Sequence, residues 1–230
     1  MKPAFWARKA HKWIGLVIGV QALLWMISGL YMTVISIDVI HGDHLAHGAT
    51  RPLPASASYL TPAQLSAGHP GLTGFRLKHL LERPVYEVKA AGQVMLVDAK
   101  TGEPLSPLDE QDARRIAESL YQGEARLVSI SLLAKAPQEV ASRPVPMWQA
   151  KFDDRGGTTL YVSPTTGELL AKRHDLWRWF DFLWMFHIMD YEAREDVNNT
   201  LLRFAAAVGF VFALSGAWLL FYSFRRGGKA

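Results

Sequence analysis

The chain has no cysteine among its 230 residues. That excludes disulfide staples, thiolate zinc sites, cysteine-ligated iron–sulfur clusters and the C-x-x-C-H attachment of c-type haem. It leaves the compartment open, because an exported domain of this size folds without disulfides. Charge is sparse as well, at 20% of residues. Half of the residues are hydrophobic and 11% aromatic, which excludes a disordered or low-complexity chain. Acid is missing from both ends. Lys2, Arg8, Lys9 and Lys12 stand in the first thirteen residues, and Arg225, Arg226 and Lys229 in the last six, with no Asp or Glu beside them. The rest of the chain holds 18 basic residues against all 21 acidic ones. Positive ends on an acidic middle exclude a general nucleic-acid surface and point to membrane topology.

Enzyme signatures are absent too. The sequence contains no P-loop, no H-E-x-x-H, no G-x-G-x-x-G and no G-x-S-x-G. No complete catalytic site is visible, and neither is a flavin or nicotinamide site. At most the chain is a reductase component that relies on a partner for electrons.

What is present begins with two apolar runs. Trp13 to Ile37 is 25 residues without a formal charge. As a helix it is about 37 Å long, enough to cross a ~30 Å hydrocarbon core. Phe204 to Phe224 is a second uncharged run of 21 residues. The first run is about twice the length of a signal-peptide core, and no small-x-small cleavage site follows it, so it reads as an uncleaved anchor. The second is apolar on every face, unlike a soluble helix. The positive-inside rule puts both termini in the cytoplasm and the middle outside. Trp6, Trp13 and Tyr222 suit the cytoplasmic interface. Gly15 and Gly19, and Ala205 and Gly209, have small-x-x-x-small spacing, which lets a backbone or a flat ligand come close. Ser28-Gly29 and Ser215-Gly216 recur mid-helix and are expected where the two helices touch.

The middle segment carries a weak internal repeat. Each copy opens with a helix start, Thr61-Pro62 in one and Ser106-Pro107 in the other. Gln64 completes a capping box with Thr61, and Asp109 plays that part for Ser106. Three short strands follow in each copy, among them Gln93–Asp98 and Thr158–Ser163. Ala91-Gly92 and Arg155-Gly156-Gly157 supply hairpin turns, and Gly102 and Gly167 close two matching turns. The pattern is α-β-β-β twice, an α+β domain between two transmembrane helices.

The helix-then-hairpin unit ending in V-D-A-x-T-G-E resembles a PepSY repeat. The opening R-K-A-H-K-W-I-G-L-V-I-G-V-Q, with Ser28-Gly29, and the closing F-L-W-M-F-H-I-M-D-Y before a second apolar helix resemble the PepSY-associated transmembrane helix family. The resemblance covers nearly the whole chain. It implies this division: a basic cytoplasmic N-terminus (1–12), a first membrane helix (13–40), a linker (41–58), two PepSY-like repeats (59–105 and 106–173), an interfacial aromatic helix and loop (174–200), a second membrane helix (201–224) and a basic tail (225–230). It also implies a bacterial inner membrane with the central domain periplasmic. Some larger, four-helix relatives resemble haem-bearing reductases of iron–siderophore complexes, and free-standing PepSY domains are linked to inhibition of peptidases.

Histidine is the side chain that could bring chemistry to the membrane, since two histidines can hold a low-spin b-type haem. The candidates are His187, His44, His11 and His41. His11 starts the first apolar run. His41, His44 and His47 follow its outer end, with His41 and His44 three apart on one helical face. That pair is also a candidate surface metal site. His11 and His44 are 33 residues apart, about 50 Å along a helix, so they cannot share one iron within a subunit. His187 lies on the outer side and can meet His41 or His44. His11 has no histidine near the inner end of the second run, so an inner haem needs a second protomer or a redox partner.

His187 sits in Leu176–Met189, too short to span and rich in aromatics. This stretch reads as an amphipathic helix in the outer interface, anchored by Trp177, Trp179 and Trp184, with Arg178 and Asp181 on its polar face. His187 is read there either as an axial ligand or as a histidine packed and hydrogen-bonded at the interface. The expected function is an accessory in electron transfer to a periplasmic acceptor such as a ferric chelate. The alternative is a non-enzymatic anchored module whose hairpin edges bind a periplasmic peptidase or other protein.

Overall fold

The computed structural model describes residues 3–48, 52–53 and 58–226. Lys2 and Lys229 of the basic ends lie outside the described residues, as do the side chains of Tyr222, Arg225 and Arg226. The chain forms two units. One is helical and contains the residues up to Ile37 together with those from Trp179 onward. The other, Asp38–Arg178, is α+β.

In the helical unit, α1 runs from Pro3 to Val34. It begins ten residues before the apolar run, because proline suits a first helical position and Ala4 to Lys12 favour helix. It stops in the β-branched stretch Thr33-Val34-Ile35. A five-residue helix, α2 (Ile37–His41), follows separately. The last helix, α6, spans Thr200–Arg226 and packs on α1. Segments Arg8–Val34 and Thr200–Phe221 are long and apolar enough to cross a membrane. Only 11% and 6% of their most apolar windows are buried, so neither is the core helix of a soluble protein.

Small residues make room between α1 and α6, but they admit side chains rather than backbone. A β-carbon on Gly15 would lie 2.9 Å from the Phe212 ring, and one on Gly209 would meet Trp25. His11 stacks on Phe212, with centroids 4.1 Å apart. These contacts pair the start of α1 with the later part of α6, so the two helices run antiparallel.

In the α+β unit, α3 (Pro62–Gly68) opens with the expected capping box. Gln64 N–H donates to the Thr61 hydroxyl, and Thr61 N–H donates to Gln64. Next come β1 (Leu72–Leu80), β2 (Arg83–Ala90) and β3 (Gln93–Asp98), an antiparallel sheet in that order. After α4 (Glu110–Leu120) come β4 (Leu127–Leu133), β5 (Met147–Phe152), β6 (Thr159–Val162) and β7 (Leu169–Arg173), again antiparallel in chain order. The second sheet thus has four strands, not the three expected. Leu169–Arg173 returns beside β6 because the Pro164–Gly167 turn, with Gly167 at φ +67°, reverses the chain. Ala91 and Gly92, both at positive φ, close the β2–β3 hairpin.

The start of α4 corrects the sequence expectation. Asp109, not Ser106, is its N-cap and accepts from Asp112 N–H. Ser106 is spent elsewhere: its hydroxyl donates to Thr165 O and accepts from Leu96 N–H. One core joins the sheets. Leu80, Val85 and Leu96 from the first, Trp148 and Val162 from the second, and Ile116 of α4 pack together. The Trp148 indole N–H donates to Leu108 O, which satisfies the one polar atom of that buried side chain.

Candidate functional site

The aromatic segment read as a helix forms α5 (Asp175–Ile188). Its first four residues belong to the α+β unit and the rest to the helical unit. Arg178 and Asp181, read as lying on one polar face, each have other ion-pair partners. Arg178 bonds Asp175 and Glu139 at 3.1 and 2.9 Å, while Asp181 is ion-paired with Arg194.

The end of α5 is where the helical unit gathers its polar groups. The last carbonyls of a helix lack intrahelical partners. Here Gln21 donates to Phe186 O (3.0 Å), the Trp25 indole to His187 O (2.8 Å) and Asn199 to Ile188 O (2.8 Å). Met189 then turns the chain at φ +54°. Asn199 also caps α6, because its side-chain oxygen accepts from Leu202 N–H at 2.8 Å. Between these ends, four main-chain N–H groups, foremost those of Asp196 and Glu195, converge on Asp190 and hold its carboxyl below the usual carboxylate range. The Trp184 indole donates to Arg194 O.

His187 is fixed within this frame. Its Nδ1 lies 2.8 Å from the hydroxyl of Ser28, which is fully buried. The Ser28 hydroxyl hydrogen is already given to Leu24 O, 2.7 Å away. With that hydrogen on Leu24 O, the serine oxygen accepts from His187, the arrangement that places the ring proton on Nδ1. That leaves the lone pair on Nε2, which makes no hydrogen bond among the described residues. The Trp184 ring lies nearly parallel to the imidazole, with centroids 6.0 Å apart.

The same arrangement occurs at His11. Its Nδ1 is 2.7 Å from Ser215 Oγ, and Ser215 donates to Phe212 O at 2.7 Å. Again the serine accepts, Nδ1 holds the proton and Nε2 keeps its lone pair. A β-carbon on the neighbouring Gly216 would stand 3.1 Å from His11 Cε1, so a side chain there would push the ring aside. Ser215-Gly216 thus lies at the α1–α6 contact as expected. Ser28, by contrast, meets α5 through His187. Ser28 and His11 are 17 residues apart on α1, about 25 Å of helix rise.

His41 and His44 belong to the α+β unit. They do not share a helical face, because α2 ends at His41 and Gly42 breaks it at φ +69°. The His44 ring meets the edge of His174, with centroids 6.1 Å apart. His174 is buried and sits 3.0 Å from Ile40 O through Nε2. Burial pushes its pKa below the ordinary histidine value, and His44 adds to that, against the Ile40 bond. Among the described residues no group of three or more His, Cys, Asp or Glu could hold a metal ion.

Serine as the partner of each membrane histidine escaped the sequence reading, which treated both Ser-Gly pairs as helix-contact marks. The signal was a polar residue inside an apolar run, and Gln21 carries the same signal. No curated protein and no solved structure matches the chain. A family model described as "PepSY-associated TM region" matches residues 8–230. Two exposed apolar helices, an α+β unit between them and that match over nearly the full length lead to one conclusion: the chain is a membrane protein of the PepSY-associated transmembrane family.

Proposed function

We propose that the helical unit is a b-type haem carrier in a bacterial inner membrane, an accessory that helps pass electrons to a periplasmic acceptor such as a ferric chelate. Both termini are cytoplasmic in this reading, and the α+β unit is a duplicated PepSY domain in the periplasm. The observation that carries it is the serine oxygen set against Nδ1 of each histidine, with a helix carbonyl in reach of the serine's own hydrogen. A histidine that donates Nδ1–H to an oxygen and presents Nε2 is prepared to ligate a metal, and its basicity is raised by that bond. His187 and His11 both have this preparation. Bound haem would supply a one-electron couple near each end of the spanning segment.

The residues fit this role as donors of one nitrogen each. Ser28 and Ser215 orient the rings, Gly216 clears space for His11, and Trp184 covers the His187 ring. His11 and His187 are the only histidines of the helical unit, so any second ligand to a haem held by one of them would come from outside it. His44 and His41, which lack a serine partner, follow His187 and His11 as candidates.

Full-length protein from haem-replete cells should show a Soret band and, on reduction, split α and β bands. His187→Ala should remove one haem equivalent. Ser28→Ala should lower occupancy roughly 10-fold or more while helix content is unchanged. A colourless wild-type preparation overturns the reading and favours the anchored module that binds a periplasmic protein.

A further inference from the structure

The α+β unit contains a cavity of about 640 Å³ that the histidine sites do not use. It lies between the tip of the β1–β2 hairpin and one face of α4. Leu80, Leu81, Ile116 and Leu120 give it an apolar side, while Arg83 and Arg115 give it two guanidinium groups against one carboxylate, that of Glu82. A cavity of this size, with an apolar side facing converging polar groups, is large enough for a small organic ligand. Arg83 leans toward α4 on Asp112, but at 3.4 Å that ion pair is long and leaves most of its donors for another acceptor. Arg115 is an exposed residue of α4.

Two further features mark the place. His79 is among the lining residues, and both of its ring nitrogens are sealed from solvent without a hydrogen-bond partner among the described residues. Native proteins leave few buried polar atoms in that state, and this one stands in the cavity wall. Leu81 holds φ +56° at the hairpin tip, a left-handed conformation where glycine is the usual residue. Its side chain packs on the shared core, so the strain is kept together with an apolar wall. Gly167 closes the floor: a β-carbon there would come within 2.6 Å of Leu80 Cδ1.

We infer that this cavity binds a small organic anion, a carboxylate on an apolar body. The carboxylate meets Arg83 and Arg115. The body lies on the leucine and isoleucine side. This inference is independent of haem. Calorimetry on the full-length protein in lipid nanodiscs tests it with 4-phenylbutyrate against 4-phenylbutan-1-ol and 4-phenylbutylamine. The carboxylate should bind at least tenfold tighter than the alcohol, and the amine should not bind. Arg115→Gln, a change on a solvent-facing helix position, should weaken the carboxylate about tenfold and leave the alcohol unchanged. Equal binding of carboxylate and alcohol, no binding of either, or an unchanged affinity in Arg115→Gln overturns the inference.

Discussion

At the scale of the residue, hydrogen-bond bookkeeping decides which nitrogen of a histidine is available. Ser28 and Ser215 each have one hydrogen, and a backbone carbonyl of the same helix takes it in both cases. What is left for the imidazole is an acceptor. His174 obeys the same rule with a different outcome. Its Nε2 faces Ile40 O, so that nitrogen is the donor of a neutral ring, and burial holds the pKa below 6.5. Protonation is therefore easier in the unfolded chain. The stability this group contributes is full above about pH 6.5 and is lost as pH falls below it. Unfolding temperature should drop between pH 7.5 and pH 5.5, and His174→Gln should flatten that slope. An identical slope in the variant would refute the assignment to His174. Arg178 also opposes the charge on His174, so acid is expected to act on this corner first.

At the scale of the element, one side chain does two separable jobs. Asn199 caps the start of α6 with its oxygen and the end of α5 with its nitrogen. Asn199→Asp keeps the oxygen and loses the donor, which should cost about 1 kcal/mol. Asn199→Ala loses both and should cost about 2 kcal/mol. Thermal unfolding of the two variants in the same detergent checks the order, and equal losses would mean that only one of the bonds matters. The helix starts show the same distinction between pattern and partner. Thr61-Pro62 with Gln64 is a local device, complete within four residues, and the sequence reading of it holds. Ser106-Pro107 looks alike, but its serine bonds Thr165 and Leu96, 59 and 10 residues away, and the cap passes to Asp109.

At the scale of the whole molecule, the outcome is two units with different solvents. Leu16, Val17 and Val20 on α1 and Phe210, Val211 and Leu220 on α6 stay exposed, which suits lipid and not water. The orientation proposed for them is open to a clean measurement, because the chain has no cysteine to confuse labelling. Ser142→Cys, in an exposed turn of the α+β unit, should react with an impermeant maleimide in cells whose outer membrane is opened. A cysteine appended after Ala230 should react only after lysis. The reverse pattern would invert the topology and with it the direction of electron flow.

The apolar runs, the glycine turns and the strand at Gln93–Asp98 were legible in the order of residues. Each depends on neighbours a few positions away: hydrocarbon length, positive φ at a turn, alternation along a strand. Packing decided the rest. Ser28 reaches His187 across 159 residues and Ser215 reaches His11 across 204, and a buried serine bonds whichever ring the fold brings to it. The fourth strand of the second sheet, the separation of His41 from His44 and the cavity beside Leu81 likewise come from contacts between distant segments, where burial and hydrogen-bond satisfaction choose among partners that local sequence leaves equivalent.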